Sequence, residues 1–351
     1  MHVVKPRLLS LATAVPAYQL RQEDVRSQAH AIFREDPSVV DRLLPVFGNA
    51  GIETRYSCVP APWYEDDHGW SDRNALYITA SLDLLSAAAG RALAQAQLAA
   101  SDIDAIVCVS TTGIATPSLE ARLLDRLAFR RDVRRLPVFG LGCAGGVLGL
   151  ARAADMAAAW PTSRVLLLVV ELCALTFRRR DRSPANIVAA ALFGDGAAAA
   201  VLSTEGKGPV IVAAGEHTWP NSADVMGWGV ESDGFAVIFS RDIPQLIRTR
   251  LPAVIDDFLG KHGFGRADID RFVSHPGGAK VLDALEEVFA LAPGALNHSR
   301  SVLRDYGNMS AASVLFVLER TWAAGSLDGR ALMTAVGPGF SAGFLVLETG
   351  L

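Results

Sequence analysis

The sequence has almost no excess charge of either sign, few cysteines, few lysines and no long hydrophobic run. Its 33 basic side chains nearly cancel 37 acidic ones, leaving −4 over 351 residues. A nucleic-acid-binding surface draws its affinity from a basic excess, and there is none. Charged residues make up 20% of the chain and hydrophobic ones 50%, which excludes a disordered polymer. Four cysteines are too few for a disulfide framework. No His or Cys pair has metal-ligand spacing. The longest uncharged stretch, residues 331–347, is shorter than the ~20 residues that span a bilayer, and Gly337-Pro338-Gly339 interrupts it. Lys5 and Arg7 ahead of residues 8–15 mimic a signal peptide, but the run ends at Pro16 and reads better as a first core strand. Free cysteines without an export signal imply the cytoplasm.

What is present is a long-range repeat. Asp102-Ile103-Asp104-Ala105-Ile106-Val107 returns 166 residues later as Asp268-Ile269-Asp270-Arg271-Phe272-Val273. Leu141-Gly142-Cys143-Ala144 and Tyr306-Gly307-Asn308-Met309 each lead into a helical pattern, with Cys143 and Asn308 165 residues apart. Phe193-Gly194-Asp195-Gly196 and Val336-Gly337-Pro338-Gly339 each lead into an apolar strand. Three pairs in the same order divide the chain into two related halves, residues 1–205 and 206–351. Residues 74–98 carry apolar side chains at helical spacing. The short apolar runs 105–109, 165–170 and 345–347 read as strands covered on both faces. Residues 280–290 form an amphipathic helix. The alternation predicts α/β layers packed around a shared core.

Cys143 is the leading candidate for chemistry. It sits among small residues at a strand-to-helix turn, where a helix N-terminus would lower the thiol pKa. Cys58, Cys108 and Cys173 read as core residues. Gly140-x-Gly142-x-x-Gly145 matches a dinucleotide fingerprint, with Glu171 placed to meet a ribose, so an NAD-dependent oxidoreductase is a rival reading. His275 follows the second copy of the repeated strand, in Ser274-His275-Pro276-Gly277-Gly278. The other histidines (His2, His30, His68, His217, His262 and His298) lie near termini or in polar sequence. Asn308 reads as a helix cap or as an amide facing a cavity. A Cys, His, Asn order also occurs in papain-like proteases, but those need the Cys near the mature N-terminus in a different motif. The runs at residues 130–135 and 178–182 are arginine-rich and could meet the phosphates of coenzyme A or simply face water.

The motifs around Cys143, 171–178, 191–198, 274–278, 306–310 and 337–339 resemble type III polyketide synthases, the chalcone synthase superfamily. That resemblance implies a thiolase fold: a duplicated, five-layered αβαβα unit, normally a homodimer. It places the nucleophile on Cys143 and the catalytic His and Asn on His275 and Asn308. It puts the two gatekeeper positions of the coenzyme A tunnel on Phe193 and Val237, the second not aromatic here. It implies that Thr116, Thr176, Ser310, Gly337, Pro338 and Gly339 border the substrate. Thr116 stands where plant enzymes carry a Met that crosses the dimer interface. The plant coenzyme A lysines are unmatched, leaving Arg55 as the phosphate candidate. The implied activity is repeated decarboxylative condensation of malonyl-CoA onto an acyl-CoA starter held on Cys143. The thiolate would pair with a His275 imidazolium, and no cofactor beyond the thioester substrates is expected. The lost aromatic gatekeeper and Met226-Gly227-Trp228-Gly229-Val230 point to a long fatty acyl starter and an alkylpyrone or alkylresorcinol product. A ketoacyl-ACP synthase III-like single condensation is the alternative within the superfamily.

Overall fold

The computed structural model describes residues 5–33 and 45–350; His2 lies outside them. In chain order its strands are β1 (Arg7–Ala14), β2 (Tyr18–Arg21), β3 (Thr54–Ser57), β4 (Ala105–Val109), β5 (Arg134–Val138), β6 (Val165–Leu172), β7 (Asp195–Ser203), β8 (Val210–Thr218), β9 (Met226–Glu231), β10 (Gly234–Phe239), β11 (Arg271–Ser274), β12 (Arg330–Gly337) and β13 (Ser341–Glu348). Its helices are α1 (Gln22–Ile32), α2 (Pro45–Asn49), α3 (Trp70–Gln95), α4 (Leu119–Leu123), α5 (Gly145–Ala159), α6 (Pro184–Leu192), α7 (Ile243–Lys261), α8 (Ala279–Phe289), α9 (Asn297–Tyr306) and α10 (Ser313–Ala323).

Nine strands pair in the order β11-β12-β13-β8-β1-β7-β6-β4-β5. The first four belong to the C-terminal half and the last five to the N-terminal half. They join where Arg7 of β1 meets Val210 of β8. Residues 8–15, which mimic an export signal, thus begin an interior strand. The two sheet halves sandwich α5 and α10. One core cluster holds Val147, Leu150 and Ala154 of α5, Val314, Leu315 and Leu318 of α10, and inward residues of both sheet halves such as Val107, Leu167, Met333 and Leu345. A second cluster packs α3 on the outer face of the N-terminal half. A third packs α7 and α8 on the outer face of the C-terminal half. The result is the αβαβα layering of the thiolase fold.

The repeated Asp-Ile-Asp does the same work in each half. Asp102 accepts the Ala99 N–H at 2.8 Å, and Asp268 accepts the Gly265 N–H at 2.7 Å, each closing a 3₁₀ turn. Asp104 accepts the Arg164 N–H at 2.9 Å, and Asp270 accepts the Arg330 N–H at 2.8 Å. Arg164 and Arg330 are again 166 residues apart, one just before β6 and the other at the start of β12. A carboxylate on a backbone donor is a strong charge-assisted bond, so each motif pins one strand start beside another.

Candidate functional site

The turn before α5 is built from residues too small to keep its neighbours away. Gly142 has φ +45°, and a Cβ there would lie 2.6 Å from the Pro338 ring. A Cβ on Gly146 would lie 2.2 Å from the Ala311 carbonyl oxygen at the start of the other central helix. Gly142 N–H donates to Thr111 Oγ1 at 3.1 Å. These contacts set Cys143 in a 3₁₀ turn that leads directly into α5.

His275 comes from the other half, at the end of β11. Its N–H donates to the Thr334 carbonyl at 2.8 Å, holding it against β12. The ring is 4% exposed, and among the described residues neither of its nitrogens has a hydrogen-bond partner. Asn308 is fully buried. Gly307 before it has φ +68°, and a Cβ there would meet the Leu192 carbonyl oxygen at 2.8 Å. Asn308 N–H donates to Leu192 O at 2.8 Å, and Gly194 N–H donates to Asn308 O at 3.0 Å. Its side chain is oriented at both ends: Oδ1 accepts from Ser310 N–H at 2.8 Å, and Nδ2 donates to Gly277 O at 3.2 Å. The second Nδ2 hydrogen takes no part in these two bonds and is left for the Cys143 side of the site.

Cys143, His275 and Asn308 line one cavity of about 610 Å³. Its remaining wall is largely apolar. Ile243, Ile247 and Leu251 of α7 face Val281 and Leu285 of α8, with Phe239 and Met226 of the β9–β10 hairpin nearby. Burial sets the charge state of the reactive groups. It pushes the Cys143 thiol up to about 12, although Ser310 and Asn308 pull the other way by hydrogen bonding. It lowers His275 to about 3. Burial thus disfavours the charged form of each group taken alone.

Arg55 is not a phosphate contact. It is 2% exposed and donates to the carbonyls of Ala190 (2.6 Å), Ala191 (2.7 Å) and Phe193 (3.1 Å), and to Gln22 Oε1. The arginine-rich runs are also engaged: Arg178 binds Asp181 and Asp233, Arg180 binds Asp67, Arg131 binds Asp125, and Arg130 binds Asp104. The dinucleotide reading fails at two of the three glycines that suggested it. A Cβ on Gly142 would meet the Pro338 ring at 2.6 Å and one on Gly145 would meet Val109 at 2.8 Å, so the turn at these two positions is packed against protein and leaves no room for a pyrophosphate. Glu171 is wholly buried and accepts from Thr111 N–H (3.0 Å) and Thr112 Oγ1 (2.8 Å), out of reach of any ribose.

None of the eight expected substrate-bordering residues is in the cavity wall. Phe193 and Thr176 border a small hollow of about 60 Å³ beside Cys173 and Phe177. Val237 packs in the cluster around Phe193, but the aromatic rings that meet Phe193 belong to Trp228 (5.9 Å) and Phe239 (6.0 Å). Phe239 is two residues along β10 from Val237, so it shares that strand face. An aromatic neighbour is therefore retained at Phe193 although Val237 itself is not aromatic. Gly337 and Pro338 brace the Cys143 turn from behind; a Cβ on Gly337 would lie 2.6 Å from Leu141 O. Gly339 N–H donates to Met226 O at 3.0 Å. Ser310 hydrogen-bonds on the Cys143 side, and Thr116 is exposed. The α7 face of the cavity carried no signal beyond ordinary helical spacing.

Comparison with known proteins agrees with this geometry. Residues 4–206 match the family model "Chalcone and stilbene synthases, N-terminal domain", and residues 210–349 match its C-terminal counterpart. The chain belongs to this family. It is a type III polyketide synthase with the thiolase fold. The 1,3,6,8-tetrahydroxynaphthalene synthase of Streptomyces peucetius is 40% identical over 99% of this chain and 95% of its own. The solved structure of the Streptomyces coelicolor enzyme of that name superposes with a TM-score of 0.93 at 30% identity, covering 97% of this chain and 99% of the other. A polyketide synthase from the brown alga Ectocarpus siliculosus superposes at 0.92, with 27% identity and 98% of each chain covered.

Proposed function

We propose that this synthase condenses a long fatty acyl-CoA starter with malonyl-CoA on Cys143 and releases an alkylpyrone or alkylresorcinol-type product. The observation that carries it is the single cavity where Cys143, His275 and Asn308 meet an apolar stripe. Its volume falls within the about 300–1,000 Å³ typical of small-molecule sites. In this reading Cys143 gives its proton to His275 as its sulfur attacks the starter thioester. Each charge alone is costly in this dry site, but together they compensate. The carbon–sulfur bond to coenzyme A breaks, and coenzyme A leaves as the thiol. Malonyl-CoA then loses carbon dioxide. His275 and the free Asn308 N–H hold the enolate oxygen that develops, a donation worth about 3–4 kcal/mol per group. The enolate carbon attacks the Cys143 thioester, which expels the Cys143 thiolate and leaves a β-ketoacyl-CoA; a proton taken up from water restores the thiol. No step changes an oxidation level beyond what decarboxylation supplies, so the reading needs no resident cofactor.

The same reading makes the protein a cytoplasmic homodimer. Exposed Ile114 and Phe139 follow the neighbouring strands β4 and β5, close in sequence to Thr116, and are suited to a partner subunit. The tetrahydroxynaphthalene synthase name of the 40% identical relative favours a second reading, in which malonyl-CoA alone primes the enzyme. Purified protein with malonyl-CoA, alone and with a panel of acyl-CoA starters, read by mass spectrometry, separates the two. Product masses should carry the fatty acyl chain. A product from malonyl-CoA alone, with acyl-CoA ignored, sinks the fatty acyl reading.

A further inference from the structure

We propose that Arg241 and Lys280 are the phosphate-binding pair for the coenzyme A end of the substrate. This rests on the reading of the cavity as a coenzyme A thioester site. Arg241 lies two residues before α7, and Lys280 is the second residue of α8. Both are exposed, and both belong to the cavity wall that ends at Cys143. Among the described residues that wall contains no Asp or Glu. Neither cation has a side-chain hydrogen bond or an ion pair within the described residues. Carboxylates on the adjoining helix faces are already matched: Glu287 binds Arg248, and Asp283 and Glu286 bind Arg300. Asp242, next to Arg241, is the N-cap residue of α7. In a chain of net charge −4, two cations on a cavity wall with no acid among its described residues mark where an anion is favoured.

The cavity has the polarity sequence that such a substrate needs. A thioester must reach the buried thiol while its phosphates stay hydrated. The same wall carries Phe239, Ile243 and Val281, apolar side chains suited to the pantetheine arm. An Arg offers a planar fork to a phosphate and a Lys offers a point charge, so together they suit a diphosphate. The other cations once open to this role, Arg55 and Arg178, are committed to the fold.

The test compares acyl-CoA with the same acyl group on pantetheine, which lacks the phosphates. Arg241→Ala, Lys280→Ala, the double variant and Lys280→Arg are assayed beside wild type, with melting temperatures checked. Each alanine change should lower the preference (kcat/KM ratio) for the coenzyme A thioester by about five-fold, and the pair by about twenty-fold, as expected for exposed charge contacts. Lys280→Arg should keep most of the preference. An unchanged ratio in the double variant overturns the assignment. So does a loss confined to acyl groups delivered on acyl carrier protein, which would make the pair a protein contact. Wild-type protein inactive on every coenzyme A thioester would instead remove the functional reading beneath the proposal.

Discussion

Replacing Arg55 with Met should unfold the region behind Asn308 without touching the substrate. The guanidinium reaches from β3 to the end of α6 and donates to three carbonyls, those of Ala190, Ala191 and Phe193. Burial lowers its pKa to about 10, so it remains a cation at neutral pH. Met conserves most of the volume but supplies no donor. Each carbonyl left buried and unpaired costs about 1–3 kcal/mol, and breaking a buried charged network typically costs about 3–5 kcal/mol in all. At roughly 2 °C per kcal/mol for a chain of this size, the melting temperature should fall by about 6–10 °C. The loss should appear in kcat as well. Phe193 directly follows α6, and backbone bonds tie Leu192 and Gly194 to Asn308. Differential scanning fluorimetry and steady-state kinetics on one preparation measure both. A melting temperature within a degree of wild type, with only the KM for acyl-CoA raised, would refute this account and restore Arg55 as a phosphate ligand.

Cys143→Ala should abolish polyketide formation yet melt like wild type, and intact-protein mass spectrometry should show no acyl adduct. Gly146→Ala should lower stability by several kcal/mol, because its Cβ would lie 2.2 Å from a backbone oxygen; chemical denaturation reads this directly, and a neutral result would mean α5 can move away. Asn308→Ala should cut kcat by about 10²–10³-fold if its free N–H stabilises the enolate; a change in KM alone would contradict that role. Glu171 gives a pH test. Burial raises its carboxyl to about 7, above its value when unfolded, so the folded protein retains a proton that the unfolded chain loses. Stability is then shed as pH rises from about 4.5 to 7, by roughly 3 kcal/mol at most. Glu171→Gln should flatten that part of the curve in urea titrations at pH 5 and pH 8, and an unchanged slope would assign it to other groups, such as Asp195.

The architecture was legible because it is written twice. Asp102-Ile103-Asp104 and Asp268-Ile269-Asp270 make equivalent backbone bonds, and that equivalence fixes where each half begins its central strands. Strands 105–109 and 165–170 were readable because both faces are covered, which leaves no polar alternation. The cavity wall was not readable. Ile247, Leu251 and Leu285 have the spacing of core residues, and they do face an interior; whether that interior is filled depends on how far apart α7 and α8 stand, which no local pattern records. Arg55 misled for a similar reason. An arginine next to Thr54 and Tyr56 looks solvent-facing until the end of α6 arrives from 135 residues away with three unpaired carbonyls.

Duplication also explains how reactive residues can sit in so dry a place. Cys143 and Asn308 occupy matching turns, each preceding one of the two central helices, and the two turns meet because Gly146 of α5 packs against Ala311, in the turn just before α10. Each turn follows a glycine held at positive φ, so each side chain points into the same space rather than into its own half. His275 comes from β11, the strand whose opening motif repeats that of β4. In the proposed mechanism the two halves thus supply a nucleophile from one copy and its proton acceptor and amide from the other. An isolated Cys143 thiolate would be unfavourable here, and so would an isolated His275 imidazolium. In the proposed mechanism charge forms as a pair, created when a thioester arrives to accept the sulfur, so the enclosure that raises the thiol pKa would also confine its reactivity to a bound substrate.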